Sequence, residues 1–385
     1  MANNLSVCVM TRDEERFLDE CLSSVVSIAD EIVVADTGSS DRTIEIARHY
    51  TSEVHEIDFR SDFAAARNLV LELAEGKWVL FLDADERLEA AEAAQIPSLI
   101  ATAESDVYGF RMFRYDFYTT GGWFCSRRTR LFRNLSSVRY RGSIHDEIDS
   151  SIRDAGARIR ESPVLLDHLG HCRSPSEREA KSRRYLKMLR RSLGEGPDGD
   201  RLALVALQLR NLRRFSAARR ASDAALSCDP QSPLVHKYRG HVLRSIAEPA
   251  GAAASYAAGL ELTPIEDVGE RACFLSLIGV CAMMSGDLET AEARLVDARA
   301  AGPELPHLLV NAGVIREARG DLVGALDLFD RAAEMHPPFL FEAPLERLEE
   351  TAFTSLEYDA VPHFMGLQRH IDHCRAQLQR EAPNA

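Results

Sequence analysis

The second half of the chain repeats itself with a period of 34 residues, and this limits its fold more than any other feature of the sequence. Two strong copies share glycine, aspartate, leucine, alanine and proline at matching positions. They are Gly286-Asp287-Leu288, Ala291, Ala298 and Pro303, and then Gly320-Asp321-Leu322, Ala325, Ala332 and Pro337. Two weaker copies come first, at Ala218, Ala225 and Pro230 and at Ala252, Gly259 and Pro264, and five extra residues precede the third copy.

A period of this length is that of the tetratricopeptide repeat, in which each unit is a pair of helices with small residues between them. We therefore expect an all-α solenoid of four helix pairs over 201–338, followed by a helical segment over 339–385. The glycines and proline of 194–200 predict a domain boundary, which makes 1–193 the first domain. The concave surface of such a solenoid either binds a polypeptide partner or serves packing and homodimer formation.

The first domain has the pattern of an α/β fold with a mostly parallel, Rossmann-like sheet. Short β-type runs at 5–10, 32–35, 54–57 and 78–82 alternate with segments of helical periodicity. The apolar residues that we expect to face the sheet are Phe17, Cys21 and Val25 in the first helix, and Phe63, Ala66, Val70 and Leu73 in a later one.

Composition indicates an ordinary globular protein: of 385 residues, 45% are hydrophobic and 28% are charged. No apolar stretch reaches the ~20 residues that cross a bilayer, and no signal-type segment opens the chain, so we predict a cytoplasmic protein without a transmembrane segment. The eight cysteines include no CxxC pair, which predicts free thiols and no zinc site.

The net charge of -14 argues against a nucleic-acid partner, but basic residues are concentrated in two stretches. Residues 111–141 hold eight arginines, and 173–191 hold eight basic residues. Such patches on an acidic chain suit a compact anion such as a diphosphate, or they are solvated surfaces. Eight aromatic residues lie within the first stretch, and we expect half of them in the core and others against a sugar. Gly121-Gly122 predicts a mobile flap.

An apolar run, Trp78 to Leu82, leads directly into Asp83, Asp85 and Glu86. Side chains alternate along a strand, so Asp83 and Asp85 are expected to point the same way at its carboxyl edge. Clustered carboxylates repel, and Mg2+ or Mn2+ bridging them to a substrate diphosphate relieves the repulsion. The structural alternative is a solvated acidic turn.

Polar residues also follow the first two strands, at Thr11 to Glu15 and at Asp36 to Asp41. The carboxyl ends of parallel strands form the ligand-binding edge of open α/β sheets, so these segments converge on the acidic run. Asp36 lies directly at its strand end and is a candidate ligand group, whereas Asp41 is expected to cap the next helix. Neither GxGxxG nor GK[ST] occurs, which excludes dinucleotide and P-loop sites.

Taken together, these segments resemble glycosyltransferase family 2, in the branch with an A-type nucleotide-sugar transferase domain followed by tetratricopeptide repeats. The resemblance rests on four motifs in order: Met10-Thr11-Arg12-Asp13-Glu14-Glu15, the segment Asp30 to Thr43, Asp62-Phe63-Ala64-Ala65-Ala66-Arg67-Asn68, and Leu82-Asp83-Ala84-Asp85-Glu86. Weaker matches follow at Arg130-Leu131-Phe132-Arg133, Gly142-Ser143-Ile144-His145-Asp146 and Asp167-His168-Leu169-Gly170.

The resemblance implies a role for each matching position. Donor nucleotide binding falls to Thr11, Arg12, Glu14, Asp36, Arg67 and Asp83. Metal binding falls to Asp85 and His168, with Mn2+ or Mg2+ as the cofactor, although a lone histidine is as often structural. Diphosphate or acceptor contacts fall to Glu86, Arg130, His145 and Lys181.

An inverting transferase needs a base for the acceptor proton, and Asp146 or its neighbour Glu147 is the candidate. The family has His-Glu where this chain has His145-Asp146-Glu147, which leaves the base open between the two carboxylates. Asp13 stands in place of the family's asparagine, and Tyr185 stands where this branch often has asparagine.

The leading hypothesis is therefore a metal-dependent inverting glycosyltransferase that uses a nucleoside-diphosphate sugar, with UDP-sugars favoured. The acceptor is expected to be a polypeptide, such as flagellin, recruited by the repeats, or alternatively a lipid-linked saccharide or polysaccharide. A sugar-phosphate nucleotidyltransferase would need a glycine-rich loop after the first strand, and Thr11 to Glu15 has none. A non-catalytic repeat adaptor with a degenerate transferase domain is the remaining hypothesis.

Overall fold

The computed structural model describes residues 4–60, 62–117, 123–142, 146–193, 198–302, 304–337 and 367–381. The chain forms two compact units, one of residues up to 117 with 125–172, and one of 118–124 with everything from 173 on. The domain boundary at 193 stays a prediction, and the structure groups the helix over 175–192 with the second unit.

The first unit begins with the predicted alternation of strands and helices. The strands are β1 (Leu5–Thr11), β2 (Glu31–Asp36), β3 (Val54–Glu56) and β4 (Trp78–Asp83). The helices between them are α1 (Leu18–Val25), α2 (Thr43–Tyr50) and α3 (Phe63–Leu73). Each strand lies within one residue of its predicted bounds, because strong apolar runs end in polar, turn-forming residues.

The rest of the unit completes the sheet. Its elements are β5 (Glu86–Arg87), α4 (Ala90–Ala93), α5 (Ile96–Ala101), β6 (Val107–Phe117), β7 (Trp123–Arg133), α6 (Asp149–Asp154) and β8 (Arg158–His168). The strand order is β3-β2-β1-β4-β7-β6-β8-β5. The first four strands are parallel, whereas β4 pairs antiparallel with β7 and β5 with β8. The sheet is therefore mixed, and its parallel half is the half that the sequence predicted.

Alternating residues of the central strands supply the core on both faces of the sheet. Leu80 and Leu82 pack on one face, with Phe17, Cys21 and Val25 of the first helical segment all buried, while Val79 and Phe81 pack on the other. The prediction for Leu73 was wrong. Its side chain is exposed, and Leu71 is buried instead, because the buried face of α3 runs through Ala66, Val70 and Leu71.

The second unit is helical. After α7 (Pro175–Ser192) come four antiparallel pairs: α8 (Gly199–Asn211) with α9 (Phe215–Cys228), α10 (Pro233–Ser245) with α11 (Pro249–Leu262), α12 (Val268–Met284) with α13 (Leu288–Ala301), and α14 (Pro306–Ala318) with α15 (Leu322–Met335). The last described helix is α16 (Leu367–Glu381). The four predicted helix pairs are confirmed. The repeat position Pro303 and most of the predicted C-terminal segment lie outside the described residues.

The repeat motif has a direct structural cause. Gly286 and Gly320 have positive φ in the turn between paired helices, and the next residue, Asp287 or Asp321, accepts a backbone hydrogen bond at the start of the following helix. In the two weaker copies Arg213 and Ala247 occupy this turn position with φ of 57° and 59°. The backbone conformation is thus kept in all four repeats, although the glycine is not.

The five extra residues before the third copy lengthen one helix. The helix α12 has 17 residues where α10 has 13, and the loop before α12 is one residue longer than the loop before α10. All eight cysteines are free thiols, as predicted. Among the described residues no helix combines the length and apolarity needed to span a bilayer.

Candidate functional site

Three neighbouring strands bring the predicted polar segments to one edge of the sheet. Thr11 at the end of β1 lies opposite Asp36 of β2, and Met10 lies opposite Asp83 of β4. Asp36 and Asp83 thus flank β1 at its carboxyl end, about 10 Å apart at two strand spacings. The expected convergence of the strand ends is present.

Several polar groups of the loop after β2 form hydrogen bonds within the loop itself. Asp36 is fully buried, and its carboxylate accepts hydrogen bonds from the backbone of Gly38 and Ser39, both at 2.8 Å, and from the Ser39 hydroxyl. Asp41 accepts from the backbone N–H of Thr43, the first residue of α2, but the N-cap position is Arg42 and no side chain caps the helix there. A nucleoside-binding role for Asp36 stays a prediction.

The loop after β1 is hydrogen-bonded to the loop after β2. The backbone N–H of Asp13 donates to Ser39 Oγ at 2.8 Å, and Asp13 Oδ1 accepts from the Ser40 N–H at 2.8 Å. Asp13 has φ of 52°, a conformation that asparagine and aspartate tolerate better than most residues. Asp13, which stands where the family has asparagine, therefore has a structural role here, since it holds the two loops together. Of the predicted donor contacts, Thr11 is buried, Arg12 is exposed and Glu14 is half-buried.

A buried charge cluster lies where β4 ends. Arg67 of α3 reaches two carboxylates at once: Nη2 is 2.5 Å from Asp83 Oδ1, and Nε is 2.6 Å from Asp146 Oδ2. The guanidinium also stacks 4.6 Å from the centre of the Phe81 ring. Arg67 therefore joins the acidic strand end to the candidate base.

Asn68, the next residue of the same motif, explains how Asp146 reaches this cluster. Its side chain donates to the Tyr140 carbonyl at 3.0 Å and accepts from the Tyr140 N–H at 2.8 Å, as a neighbouring strand would. The backbone of Tyr140 is therefore fixed against α3. Arg67 thus contacts the carboxylate of Asp146, and the next residue, Asn68, contacts the backbone of Tyr140.

Two further arginines complete the cluster. Arg130 Nη2 of β7 lies 2.5 Å from both Asp83 Oδ2 and Glu86 Oε1, and Arg114 Nη1 of β6 lies 3.1 Å from Glu86 Oε1. Glu86 is buried, and its other oxygen accepts the backbone N–H of Asp83 at 2.9 Å. This geometry favours a supporting role for Glu86 behind the arginines over contact with a diphosphate.

The two carboxylates that Arg67 joins differ in proton affinity. Burial alone would raise the pKa of Asp83, but Arg130, Arg67 and Arg114 outweigh it and hold that pKa well below its usual range. Burial does raise the pKa of Asp146, because Arg67 offsets only part of the loss of solvation and Asp83 opposes ionisation. Asp83 is a permanent anion here, and Asp146 is the more basic carboxylate.

Asp85 does not point alongside Asp83, and the expectation from strand alternation was wrong. The strand β4 ends at Asp83, and Asp85 lies in the turn that follows, where its carbonyl accepts the N–H of Leu169 at 2.8 Å. Asp85 Oδ1 faces His168 Nε2 at 3.2 Å instead. The two aspartates of the motif therefore have different partners.

His168 ends β8, between Glu86 of β5 and Asp116 of β6. Its Nδ1 lies 2.5 Å from Asp116 Oδ1, and Arg114 Nη2 lies 3.0 Å from the same oxygen. A hydrogen bond from Nδ1–H to Asp116 leaves Nε2 as the atom that faces Asp85. Burial lowers the pKa of His168, but Asp85 and Asp116 outweigh this and raise it to about 9.

Asp85 and His168 fit a divalent cation. Two cis ligands at ~2.1 Å from an octahedral ion lie about 3.0 Å apart, close to the 3.2 Å between Asp85 Oδ1 and His168 Nε2. Gly170 leaves the adjoining space open, since a Cβ there would lie 2.5 Å from Asp85 Oδ2 and 2.6 Å from His168 Nε2. A carboxylate oxygen and an imidazole nitrogen suit Mn2+ or Mg2+, with Mn2+ more tolerant of nitrogen.

A second grouping of ligand-type residues also includes His168. Single ligand atoms of Asp116, His168 and His171 lie within 4.8 Å of one another. The positive charge of Arg114 at Asp116 disfavours a cation there, and the close Nδ1 to Asp116 contact already occupies that nitrogen. We therefore assign the better cation site to Asp85 and His168.

The remaining predicted site residues are placed as follows. Glu147 is exposed and accepts from the Ser150 N–H at 2.8 Å near the start of α6, which leaves Asp146 as the carboxylate inside the cluster. His145 lies outside the described residues. Lys181 lies on α7 in the second unit, and its contact with a diphosphate or acceptor stays a prediction.

The basic stretch 111–141 is largely neutralised within the first unit. Besides Arg114 and Arg130, Arg111 lies 2.6 Å from Asp149, Arg127 lies 2.6 Å from Glu161, and Arg141 lies 2.5 Å from Asp154. The stretch as a whole is therefore not an open anion site. Five of its aromatic residues have side chains that the structure describes, and all five are buried: Phe113, Tyr115, Phe117, Phe132 and Tyr140. The flap predicted at Gly121-Gly122 lies outside the described residues.

Sequence reasoning missed Arg114, Asp116 and His171. The signal was weak, because Asp116 is the single acid among eight arginines and its partner His168 is 52 residues away. Only the parallel register of β6 and β8 brings them together.

Comparison with known proteins agrees with this architecture. Residues 6–162 match the family model named glycosyl transferase family 2. This match covers about two fifths of the chain and includes Asp83, Asp85 and Asp146. The chain is 33% identical over 201 residues to a TPR repeat-containing protein of Synechococcus elongatus. This match covers 50% of this chain and 49% of that protein. It is 30% identical to the lipopolysaccharide core biosynthesis glycosyltransferase LpsC of Rhizobium meliloti, over 45% of this chain and 61% of LpsC.

A third relative is the prophage-derived glycosyltransferase SunS of Bacillus subtilis, 29% identical over 36% of this chain and 33% of SunS. The chain thus spans less than two thirds of the length of each of these relatives. Among solved structures, it is similar at a TM-score of 0.26 to glucosyl-3-phosphoglycerate synthase from Mycobacterium tuberculosis in complex with Mn2+ and UDP-glucose. That match is 20% identical over 29% of this chain and 44% of the synthase.

Proposed function

We propose that the chain is a divalent-metal-dependent, inverting glycosyltransferase that transfers a sugar from a nucleoside-diphosphate sugar, with a UDP-sugar as the preferred donor. The observation that carries the proposal is the pair Asp85 and His168, held 3.2 Å apart beside Gly170 at the carboxyl edge of the sheet. A carboxylate oxygen and an imidazole nitrogen placed this way suit a metal-dependent transferase, whereas a non-catalytic adaptor would have no need of them.

Asp85 and His168 would hold Mn2+ or Mg2+ against the donor diphosphate. The bound ion would supply Lewis-acid stabilisation of the charge that develops on the leaving nucleoside diphosphate. Asp116 keeps the imidazole in the tautomer that presents Nε2, and Arg114 keeps Asp116 ionised. Thr11, Arg12, Glu14 and Asp36 remain the candidate nucleoside contacts.

Asp146 is the proposed base. Its raised pKa makes it a better proton acceptor than an exposed carboxylate, and Arg67 holds it at a fixed position 2.6 Å away. It would accept the proton of the acceptor hydroxyl, thiol or amide while the acceptor attacks the sugar carbon opposite the leaving group. Asp83, ionised through its arginines, would hold Arg67 in place and accept a hydrogen bond from the donor.

The helix pairs α8 to α15 are proposed to recruit a polypeptide acceptor, flagellin being one example. Stacked pairs of this kind offer an extended surface that suits a peptide better than a monosaccharide. A homodimer through the same repeats is the alternative use of this surface, and a cytoplasmic location follows from the proposed donor.

Ligand-dependent melting tests the core of the proposal. A ligand at ~100 times its dissociation constant stabilises the protein by ~2.7 kcal/mol, so UDP with Mn2+ should raise the melting temperature of the full chain. Chelation and Asp85→Asn should both abolish the shift. Asp106→Asn is the matched control, because Asp106 is exposed and directly precedes β6, ten residues from Asp116 and about 33 Å away along the strand. A shift that survives in Asp85→Asn would contradict the assignment of the metal site.

The donor and acceptor need separate assays. Nucleotide release should be followed for a panel of UDP-, GDP- and dTDP-sugars with Mn2+, and a preference for UDP-sugars is expected. Sugar incorporation should then be compared between polypeptide and saccharide acceptors. The name of LpsC, a lipopolysaccharide core enzyme, favours a saccharide or lipid-linked acceptor as the second candidate. No release from any donor, with no melting shift, would favour the adaptor hypothesis.

A further inference from the structure

A basic cavity lies within the second unit, and none of its lining residues belongs to the proposed donor site. Its volume is about 430 Å3, and it lies between α7 and the turn that joins α8 to α9. Five cationic side chains line it: Arg183, Lys187, Arg190, Arg191 and Arg214. Among the described residues that line it there is no aspartate or glutamate, although the chain carries a net charge of -14.

The arrangement follows from helical geometry. Residues 183, 187, 190 and 191 are spaced by four, seven and eight positions, which places them on one face of α7. Arg214 enters from the opposite side, on a turn that is fixed by a 2.8 Å hydrogen bond from its N–H to the Leu209 carbonyl. The five charges therefore surround one space instead of spreading around the helix.

Most of these charges lack a counterion. Arg183 pairs with Glu179 at 2.6 Å, but within the described part of the chain Lys187, Arg190, Arg191 and Arg214 form no ion pair with a carboxylate. Like charges gathered in a concavity repel, and the low-dielectric walls concentrate their field on whatever enters. This contrasts with the arginines of the first unit, where Arg111, Arg127 and Arg141 have carboxylate partners.

The floor of the cavity is apolar, being formed by buried Leu186 and half-buried Leu212. Guanidinium groups bind phosphate oxygens through paired hydrogen bonds, and lysine adds a compact charge. A floor of leucine beside them suits the uncharged part of a small molecule. The volume falls in the range of ~300–1,000 Å3 that is usual for small-molecule sites.

We infer that this cavity binds a small soluble molecule that carries one or two phosphate groups, at a site separate from the proposed donor site. The cationic residues are exposed, so a phosphate-bearing membrane lipid is the other source of the same chemistry, and the vesicle experiment below distinguishes it from a small ligand. The inference rests on the second unit alone and holds whether or not the first unit is an active transferase.

The test uses the full chain and inorganic pyrophosphate as the probe, in a calorimetric titration with EDTA present. Chelation removes metal-dependent binding at Asp85 and His168, and Asp85→Asn should bind pyrophosphate as the wild type does. The double variant Lys187→Glu/Arg191→Glu should weaken binding at least tenfold. Arg60→Glu/Lys77→Glu, the same total charge change at exposed positions of the first unit, should leave affinity unchanged.

Both altered residues are exposed, and the melting temperature of each variant in EDTA shows whether it is folded. Absence of pyrophosphate binding by the folded wild type would overturn the inference, and so would equal binding by the double variant. A parallel arm uses vesicles of phosphatidylcholine with and without phosphatidic acid. Binding to the anionic vesicles without binding to pyrophosphate would replace the small ligand by a membrane surface and would likewise overturn it.

Discussion

His168 Nδ1 lies 2.5 Å from Asp116 Oδ1, and this contact decides which nitrogen of the ring is presented to Asp85. Histidine ligands of metals are commonly oriented by a carboxylate behind them. Here that carboxylate comes from β6, a strand that none of the recognised motifs includes, and Arg114 two residues earlier holds it ionised. The proposed metal site therefore depends on the register of β6 with β8.

Asp116→Asn tests this dependence. Asparagine keeps the shape and can accept the Nδ1–H, but it loses the negative charge that strengthens the imidazole as a ligand. We expect Mn2+ affinity to fall by about 10 to 100-fold, measured from the Mn2+ dependence of the melting temperature. Asp106→Asn on the same strand should bind Mn2+ as the wild type does. Unchanged affinity in Asp116→Asn would mean that His168 is not a ligand, or is not oriented by Asp116.

The metal-free protein should lose stability as pH rises through the pKa of His168. That pKa is about 9 in the folded protein, against ~6.5 for an ordinary histidine, because the carboxylates of Asp85 and Asp116 outweigh burial. A raised pKa stabilises the fold fully below pH ~6.5, and the contribution is lost as pH rises towards 9. The difference is on the order of 3 kcal/mol.

Denaturant unfolding in EDTA at several pH values between 6 and 10 measures this effect, with His168→Gln as the reference. The stability difference between wild type and variant should shrink by roughly 3 kcal/mol across this window. If the difference instead grows with pH, the folded pKa of His168 lies below its ordinary value and the carboxylate contacts are weaker than described.

Gly170→Ala should disturb the same site sterically. The added methyl group would lie 2.5 Å from Asp85 Oδ2 and 2.6 Å from His168 Nε2, so one of these side chains must move. We expect the Mn2+-dependent melting shift to disappear and the metal-free fold to lose about 1–3 kcal/mol. Gly251→Ala is the control, since its methyl group would meet Leu243 at an ordinary 3.5 Å. A normal Mn2+ response in Gly170→Ala would place the metal elsewhere.

The strands and the acidic motif could be predicted because their signals are local. Trp78 to Leu82 is an uninterrupted apolar run, and the aspartates follow it directly. The resemblance pointed to Arg130 and His168 as site residues, but Arg114 and the pairing of each group with an aspartate could not be predicted, because these residues come from β6, β7 and β8. Strand alternation also failed for Asp85, since the strand ends two residues before it. The local sequence pattern therefore located the site, but the register of strands distant in sequence determined the contacts of its residues.

In the repeats, by contrast, the backbone structure is kept where the sequence motif is weak. The sequence signal weakened in the first two copies, yet Arg213 and Ala247 keep the positive φ of Gly286 and Gly320. Ala247→Gly should therefore stabilise the helical unit by about 0.5–1 kcal/mol, because relief of left-handed strain exceeds the added chain entropy. Gly286→Ala is the reciprocal change and should cost about 1–2 kcal/mol, since a Cβ there meets nothing within 4 Å and only backbone strain acts. Far-UV circular dichroism melts measure both, and equal stability of all three proteins would contradict the shared turn.

The assignment of the base can be decided between two adjacent carboxylates. Asp146 lies in the cluster with Arg67 and has a raised pKa, whereas Glu147 is exposed and its carboxylate accepts hydrogen bonds from Ser150. Asp146→Asn should lower kcat by about 10²–10⁴-fold, while Glu147→Gln should leave kcat nearly unchanged. Both variants replace a carboxylate by its amide, so each serves as the matched control for the other.

A pH profile separates a base from a merely structural carboxylate. The wild-type kcat should rise with pH through the pKa of Asp146, because only the ionised carboxylate can accept the acceptor's proton, and the burial of Asp146 sets this limb above the range of an exposed aspartate. Asp146→Asn should lack that limb, while Glu147→Gln should retain it. If Asp146→Asn loses rate but keeps the limb, Asp146 only positions Arg67, and the titrating base is another group.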